Sequence, residues 1–254
     1  MIETVASLPA KPRSALVSKL RGKVALITGA NRGIGLAIAR ALASEGCNLV
    51  IAARDEPVLK KTGRELARLK VRVLPVVCDV RDPVAVKALL TAVKRRFHRL
   101  DILINNAGIA HPTQNVDKLP FESWLEVIDT NLNSLFLVTQ AALPLMSRGS
   151  AIINNLSLAA KRVFAGSSAY NASKHGALGF TNTLREELRS KEIRVIALVA
   201  GATDTEIWDT LWPKAPREKM MSPATIAVAV VNGLKLPPDS TMEELVILPT
   251  AGTL

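Results

Sequence analysis

Seven apolar runs rich in β-branched residues recur along the chain: "KVALITG" from 23, "NLVIAAR" from 48, "VRVLPVVCDV" from 71, "DILINNAG" from 101, "SAIINNLS" from 150, "IRVIALVAG" from 193 and "LVILPTAG" from 245. Their hydrophobic positions are continuous, which is how a strand reads when both of its faces are buried. Between them the spacing becomes helical, as in "GIGLAIARALASEG", closed by Gly46 as a cap, and "PVAVKALLTAVKRRF", opened by Asp82 as N-cap. Strand and helix in regular succession predict a Rossmann-type, doubly wound α/β fold, a parallel sheet of about seven strands with helices on both faces.

No repeat or linker interrupts this alternation, so a single domain is expected over 21–254, preceded by a flexible N-terminal arm over 1–20. The stretch "TDTEIWDTLWPKAPREKMMSP", 203–223, is the one irregular segment long enough to serve as a substrate lid. With 254 residues, 48% of them hydrophobic, the chain can bury a substantial core.

Charge changes this picture little. A net charge of +11 raises the possibility of nucleic-acid binding. The basic residues are dispersed, however, the densest run ("KRRFHR", 94–99) ends a helix where cations suit the dipole, and aromatics make up only 4%. Nucleic acid is therefore not expected as a main partner. No apolar run approaches the roughly 18 residues of a membrane span, and no secretory leader is apparent, so a cytoplasmic location and no membrane association are expected. Cys47 and Cys78 lack a CxxC or histidine neighbour, and His98, His111 and His175 form no i, i+4 ligand pair, which points away from disulfides and metal.

The chemistry begins at the first strand, which runs into "TGANRGIG" (28–35) and then a helix. Gly29 permits the sharp turn, Gly33 and Gly35 remove side chains where backbone would meet a pyrophosphate, and the helix N-terminus faces the anion. Asn31, Arg32 and Ile34 complete this candidate cofactor turn. In a dinucleotide fold an acidic residue at the end of the second strand would bond the ribose 2′-OH of NAD. Here Ala53 and Arg54 stand there, Arg32 lies in the turn, and Asp55 before Glu56-Pro57 reads as the next helix's N-cap. Two guanidiniums suit a 2′-phosphate, so NADP(H) is preferred over NAD(H). Asp79 and Val80 end the third strand, with Asp79 placed to meet an adenine amino group, and "NNAG" (Asn106, Ala107 and Gly108) ends the fourth.

The chain's only tyrosine, Tyr170, is followed at helical spacing by Lys174 in "SSAYNASKHG". Taken with the glycine turn, "NNAG", Asn131 in "DTNLNSLF" and Ser157 in "NLS", the set resembles the short-chain dehydrogenase/reductase family over nearly the whole chain from Lys23, and within it NADPH-dependent carbonyl or 3-oxoacyl-carrier-protein reductases. The resemblance implies that Tyr170 exchanges a proton with the alkoxide and that Lys174 lowers the phenol pKa and holds the nicotinamide ribose. It also implies that Ser157 bonds the carbonyl oxygen and that Asn131 positions a water relaying protons to Lys174. After the sixth strand the family's PGxxxT is "AGATDT" here. Ala200 replaces the proline, while Gly201, Thr203 and Thr205 remain as cofactor contacts. His111, Phe164, Trp208 and Trp212 are candidate substrate contacts. A free or carrier-protein-bound carbonyl or alcohol substrate follows, as does a homodimer or homotetramer assembled through the helices around Asn131 and after Tyr170, where Ala172, Gly176 and Gly179 allow close approach. The competing expectation is a non-catalytic NADP(H)-binding sensor or scaffold protein.

Overall fold

The seven apolar runs form one sheet. In the computed structural model, which describes residues 20–252, they form β1 (Val24–Thr28), β2 (Asn48–Ala53), β3 (Val73–Val77), β4 (Ile102–Asn105), β5 (Ala151–Asn155), β6 (Arg194–Ala200) and β7 (Glu244–Ile247). The strands are parallel throughout, in the order β3-β2-β1-β4-β5-β6-β7. The five inner strands are buried on both faces as expected, whereas the edge strands β3 and β7 are only partly buried, having a neighbour on one side alone. The helices are α1 (Gly33–Ser44), α2 (Glu56–Ala67), α3 (Pro83–Phe97), α4 (Phe121–Ile128), α5 (Ser134–Ala142), α6 (Ser168–Arg189), α7 (Ile207–Leu211) and α8 (Pro223–Leu234).

Every residue of β1 is buried, and its side chains divide between two cores. Ala25 and Ile27 pack with Ile38 and Leu42 of α1, Leu59 of α2 and Ile226 and Val230 of α8. Val24 and Leu26 pack with Leu89 and Val93 of α3, Val138 of α5 and Leu184 of α6 on the other face. Leu20, the last residue of the expected arm, is already buried in the first core. The rest of that arm, 1–19, and residues 253–254 lie outside the described residues. At the β3 edge Pro75 removes a backbone donor, which discourages addition of a further strand.

Local signals act close to where they were expected. Asp55 accepts the Val58 N–H at 3.0 Å and Asp82 accepts the Val84 N–H at 2.8 Å, capping α2 and α3. Gly46 lies one residue beyond the cap of α1: Glu45 closes the helix, and Gly46 then takes a left-handed φ of 84°. The 203–223 segment is partly regular. It holds α7, and Arg217 draws it together by donating to the Asp204 carboxylate and the Thr205 carbonyl, both at 2.7 Å, and to Asp209.

A buried polar bridge ties the sheet to the helices beneath the site. Asn105 donates to Thr139 of α5 at 3.0 Å and to Asn154 of β5 at 2.9 Å, and Asn154 donates to Thr181 of α6 at 2.9 Å. Asn154 is fully buried, so removing it strands partners that water cannot reach. Asn154→Ala is expected to lower unfolding free energy by about 2 kcal/mol in urea denaturation; a loss below about 0.5 kcal/mol would show that the bridge contributes no net stability.

Candidate active site

The order of the strands sets the location. Connections from β1 and β4 leave to opposite faces, which opens a crevice at their carboxyl ends. Gly29 and Gly33 take positive φ of 63° and 52° in the turn from β1 into α1. Gly35 does a different job from the one expected: a Cβ there would lie 2.3 Å from the Gly29 carbonyl oxygen and 2.4 Å from Asn106 Nδ2, so its bareness lets helix, turn and β4 end meet. At Gly33 a Cβ would meet Thr205 at 3.2 Å, and the lid stem thus packs directly on the turn.

Hydrogen bonds carry this junction toward the reacting end. Thr28 Oγ1 accepts the N–H groups of Asn106 (2.9 Å) and Ala107 (3.0 Å), while Asn106 Nδ2 donates to the carbonyls of Thr28 and Gly29. Asn155 Nδ2 donates to Asn106 Oδ1 at 2.8 Å, and Lys174 Nζ donates to the Asn155 carbonyl at 3.1 Å. A cavity of about 1510 Å³ follows this line. Asn31, Arg32, Gly33, Ile34 and Arg54 border it at one end, then Asp79, Val80, Asn106, Ala107 and Gly108; Ser157, Tyr170, Lys174, Gly201, Thr203 and Thr205 lie at the other. The volume exceeds the roughly 1,000 Å³ of a large drug-sized site. A bare glycine turn leading into such a cleft fits an extended dinucleotide plus a substrate.

At the outer end the Arg32 and Arg54 side chains are exposed on the cavity wall, and Asp55 is occupied as the α2 cap. Asp79 lines the cavity but is already engaged. Arg81 Nε donates to its two oxygens at 3.0 and 3.1 Å, and the Arg81 backbone N–H donates at 3.0 Å. These bonds hold the Asp79 carboxyl below the usual range. Arg81 also reaches Glu126 of α4 at 3.3 Å, and neither Arg81 nor Glu126 was anticipated from sequence.

At the inner end Tyr170 and Lys174 sit one turn apart on α6, with Lys174 Nζ 5.5 Å from the centre of the Tyr170 ring. Burial pushes the Tyr170 phenol up, and a hydrogen bond with Ser157 pulls it partly back. Burial pushes Lys174 down to about 8. The expected lowering of the phenol by Lys174 is therefore not the dominant effect here; burial drives both groups toward their neutral forms. Ser157 Oγ also accepts the Ala159 N–H at 3.1 Å, which fixes its position after β5.

Asn131 occupies a single π-helical turn, 129–133, between α4 and α5. Its amide oxygen accepts the Ile109 N–H at 2.8 Å, and its amide nitrogen donates to the Ile109 carbonyl at 2.9 Å and to Ser173 at 3.1 Å. The side chain thus clamps the segment after "NNAG" onto α6. Gly108 keeps that passage narrow, since a Cβ there would lie 3.3 Å from Asn131 Oδ1 and 3.7 Å from Lys174 Nζ. Phe164, Trp208 and Trp212 line the cavity as expected. His111 does not: it is buried away from the cavity, with Nδ1 2.8 Å from the Pro112 carbonyl. The substitution at Ala200 leaves the turn in place, because the Gly201 N–H still donates to Ile247 at 2.8 Å. A Cβ at Gly201 would lie 2.9 Å from Leu248, so the glycine is needed for packing against the chain after β7. Of the helices expected to form an oligomer contact, α6 uses Gly176 within the chain, where a Cβ would lie 2.9 Å from Leu132, and leaves the space over Gly179 open.

Fold and crevice define a dinucleotide-binding α/β protein. The sequence model of the short chain dehydrogenase family matches residues 23–216, and the chain belongs to that family of oxidoreductases. It is 35% identical over 206 residues to a 3-oxoacyl-[acyl-carrier-protein] reductase of Thermotoga maritima, spanning 80% of this chain and 83% of that protein. An alcohol dehydrogenase from the archaeon Thermococcus sibiricus, complexed with 5-hydroxy-NADP, superposes with a TM-score of 0.85 at 33% identity, covering 91% of this chain and 97% of that one. A 3-ketoacyl-(acyl-carrier-protein) reductase from Brucella melitensis, complexed with NADH, superposes with a TM-score of 0.82 at 29% identity, covering 91% and 99%. Among the described residues no helix is long and apolar enough to cross a membrane.

The buried Lys174 has a signature in stability. Its pKa is depressed in the fold, so the unfolded chain binds more protons between pH 8 and 10.5, and stability gains as pH rises through that window. Below pH 8 the buried charge costs about 3 kcal/mol. Lys174→Met is expected to stabilise the protein at pH 7, with the gain shrinking toward pH 10 in parallel urea titrations. A gain independent of pH would mean that Lys174 is not held as a desolvated ammonium.

Proposed function

We propose that the protein is an NADP(H)-dependent reductase of neutral ketones or 3-oxoacyl thioesters, with Tyr170 as its general acid and base. The observation that carries this reading is that Ser157, Tyr170 and the buried Lys174 line the same cavity as the glycine turn. When bound, a nicotinamide dinucleotide supplies or takes the hydride. Arg32 and Arg54 would hold its 2′-phosphate, the Gly29–Gly35 turn its pyrophosphate, Asp79 its adenine, and Lys174 with Thr205 its nicotinamide end. Ser157 donates a hydrogen bond to the carbonyl oxygen and stabilises its growing negative charge. Tyr170, kept as a neutral phenol by burial, gives its O–H proton to that oxygen; in the oxidative direction it receives the proton back. Lys174 would resupply the proton, and Asn131 holds the neighbouring Ile109 backbone against α6.

The substrate end favours an uncharged compound. Ile109, Leu158, Phe164, Trp208 and Trp212 line it, and the Trp208 indole N–H is already bonded to the Thr203 carbonyl at 2.9 Å. Arg32, Arg54 and Lys174 are the only lysine or arginine side chains on the whole cavity wall among the described residues, whereas Glu206 and Asp209 stand by the lid. A carboxylate-bearing substrate would lose its water without gaining a counter-ion. We read the protein as cytoplasmic and as a homodimer or homotetramer, with the open surface over Gly179 and half-exposed Phe136 supporting contact through α5 and α6.

Tyr170→Phe is expected to lower kcat by about 10²–10⁴-fold with a neutral ketone while leaving NADPH affinity, followed by its fluorescence, unchanged. Retained turnover would remove Tyr170 from the mechanism. Tight NADPH binding without turnover of any ketone, 3-oxoacyl thioester or quinone would instead identify a sensor. Replacing Arg32 and Arg54 together by alanine is expected to lower kcat/KM for NADPH at least about tenfold more than for NADH; a wild-type protein that binds NADH more tightly than NADPH would overturn the cofactor assignment.

A further inference from the structure

We propose that Arg81 is a positioning residue for adenine recognition, fixing the Asp79 carboxylate at the cavity wall and fastening it to α4 through Glu126. The inference rests on the reading above that Asp79 meets adenine, and assigns a role to a side chain that lies behind the wall.

The geometry separates Arg81 from the two arginines that face the cavity. Arg32, Arg54, Asp79 and Glu126 all line it, but Arg81 does not. Its guanidinium is committed: Nε donates to Asp79 Oδ1 at 3.0 Å and Oδ2 at 3.1 Å, Nη2 donates to Oδ2 at 2.6 Å, and Nη1 donates to Glu126 Oε1 at 3.3 Å. Its backbone N–H adds a second anchor on Oδ1. A carboxylate at the end of a strand can rotate about its terminal torsion, which is broad and poorly fixed. A forked guanidinium on one edge of the carboxylate sets its plane, and three N–H donors on about four acceptor sites leave roughly one site for a donor reaching Asp79 from the cavity. Adenine offers a donor amino group at that edge, whereas hypoxanthine offers a carbonyl oxygen that a carboxylate repels. The fork should therefore sharpen discrimination between the two bases without touching either. Because it acts at the base, it should act alike on phosphorylated and unphosphorylated ribose. The bond to Glu126 extends the arrangement to α4, whose C-terminal end leads into the π turn carrying Asn131.

The test compares wild-type protein with Arg81→Met and Arg81→Lys, using NADPH, NADH and the hypoxanthine analogue of NADPH, with circular dichroism to verify that each variant is folded. Wild type is expected to bind NADPH about tenfold or more tightly than the analogue, in line with a hydrogen bond to a charged acceptor. Arg81→Met should raise KM and Kd for NADPH and NADH by the same factor, leave kcat with saturating cofactor unchanged, and leave the analogue's weaker binding almost untouched, so that base discrimination shrinks. Arg81→Lys, which keeps the charge but not the fork, should recover only part of the discrimination. If Arg81→Met weakens NADPH and the analogue equally, or lowers kcat alone, Arg81 is structural and the proposal fails while Asp79 keeps its assignment. If wild type itself does not distinguish the bases, the placement of Asp79 at adenine is wrong and the proposal falls with it. Selective loss of NADPH over NADH would make Arg81 a phosphate contact instead.

Discussion

Polar backbone groups where β1, β4 and β5 end need partners, and the crevice between diverging connections provides no neighbouring strand to supply them. Side chains do so instead. Thr28 collects two N–H groups from the β4 end, Asn106 returns two bonds to the β1 turn, and Asn155 holds Asn106 while its own carbonyl holds Lys174. The glycine turn and the buried Lys174 are consequently parts of one hydrogen-bonded seam. The seam also explains Gly35, because a methyl group there would strike both the Gly29 carbonyl and the Asn106 amide. A side chain at that position would separate the start of α1 from the ends of β1 and β4.

Burial at the reacting end sets protonation states more strongly than the neighbouring charge does. The phenol is raised and the ammonium lowered, so each is driven toward neutrality. A neutral phenol suits donation of a proton to an alkoxide, and a lysine near pH 8 suits its replacement. The reverse reaction asks for phenolate, and there the Ser157 hydrogen bond is the contribution this chain makes in the required direction.

Much of this was legible in the sequence because the signals are local. Continuous apolar runs announced the strands, five of them buried on both faces and the edge strands β3 and β7 only partly so, Asp55 and Asp82 announced helix starts, and the glycine turn together with Ser157, Tyr170 and Lys174 kept recognisable spacing. What escaped depends on distant pairings. Arg81 resembles any surface cation until Glu126 of α4 is brought beside it, and nothing near Asn154 reveals that Asn105 and Thr181 will meet there. His111 shows the converse error: its place after "NNAG" put it beside the site, yet the backbone turns the ring into the body of the protein, where Nδ1 stays close to the Pro112 carbonyl. Position along the chain locates a residue near a strand end, but the side-chain direction is decided by the loop that follows.

The 203–223 segment runs along the cavity wall. Its stem begins at Gly201, anchored to Ile247 at the end of β7, and passes over the cofactor turn where Thr205 rests against Gly33. It then bears Trp208, pinned by its indole N–H to Thr203, and is fastened at its far side by the Leu211 carbonyl accepting from Thr113 at 2.6 Å. Arg217 binds stem and helix together through Asp204, Thr205 and Asp209. The chain after β6 thus packs against the glycine turn and also supplies aromatic side chains of the cavity wall.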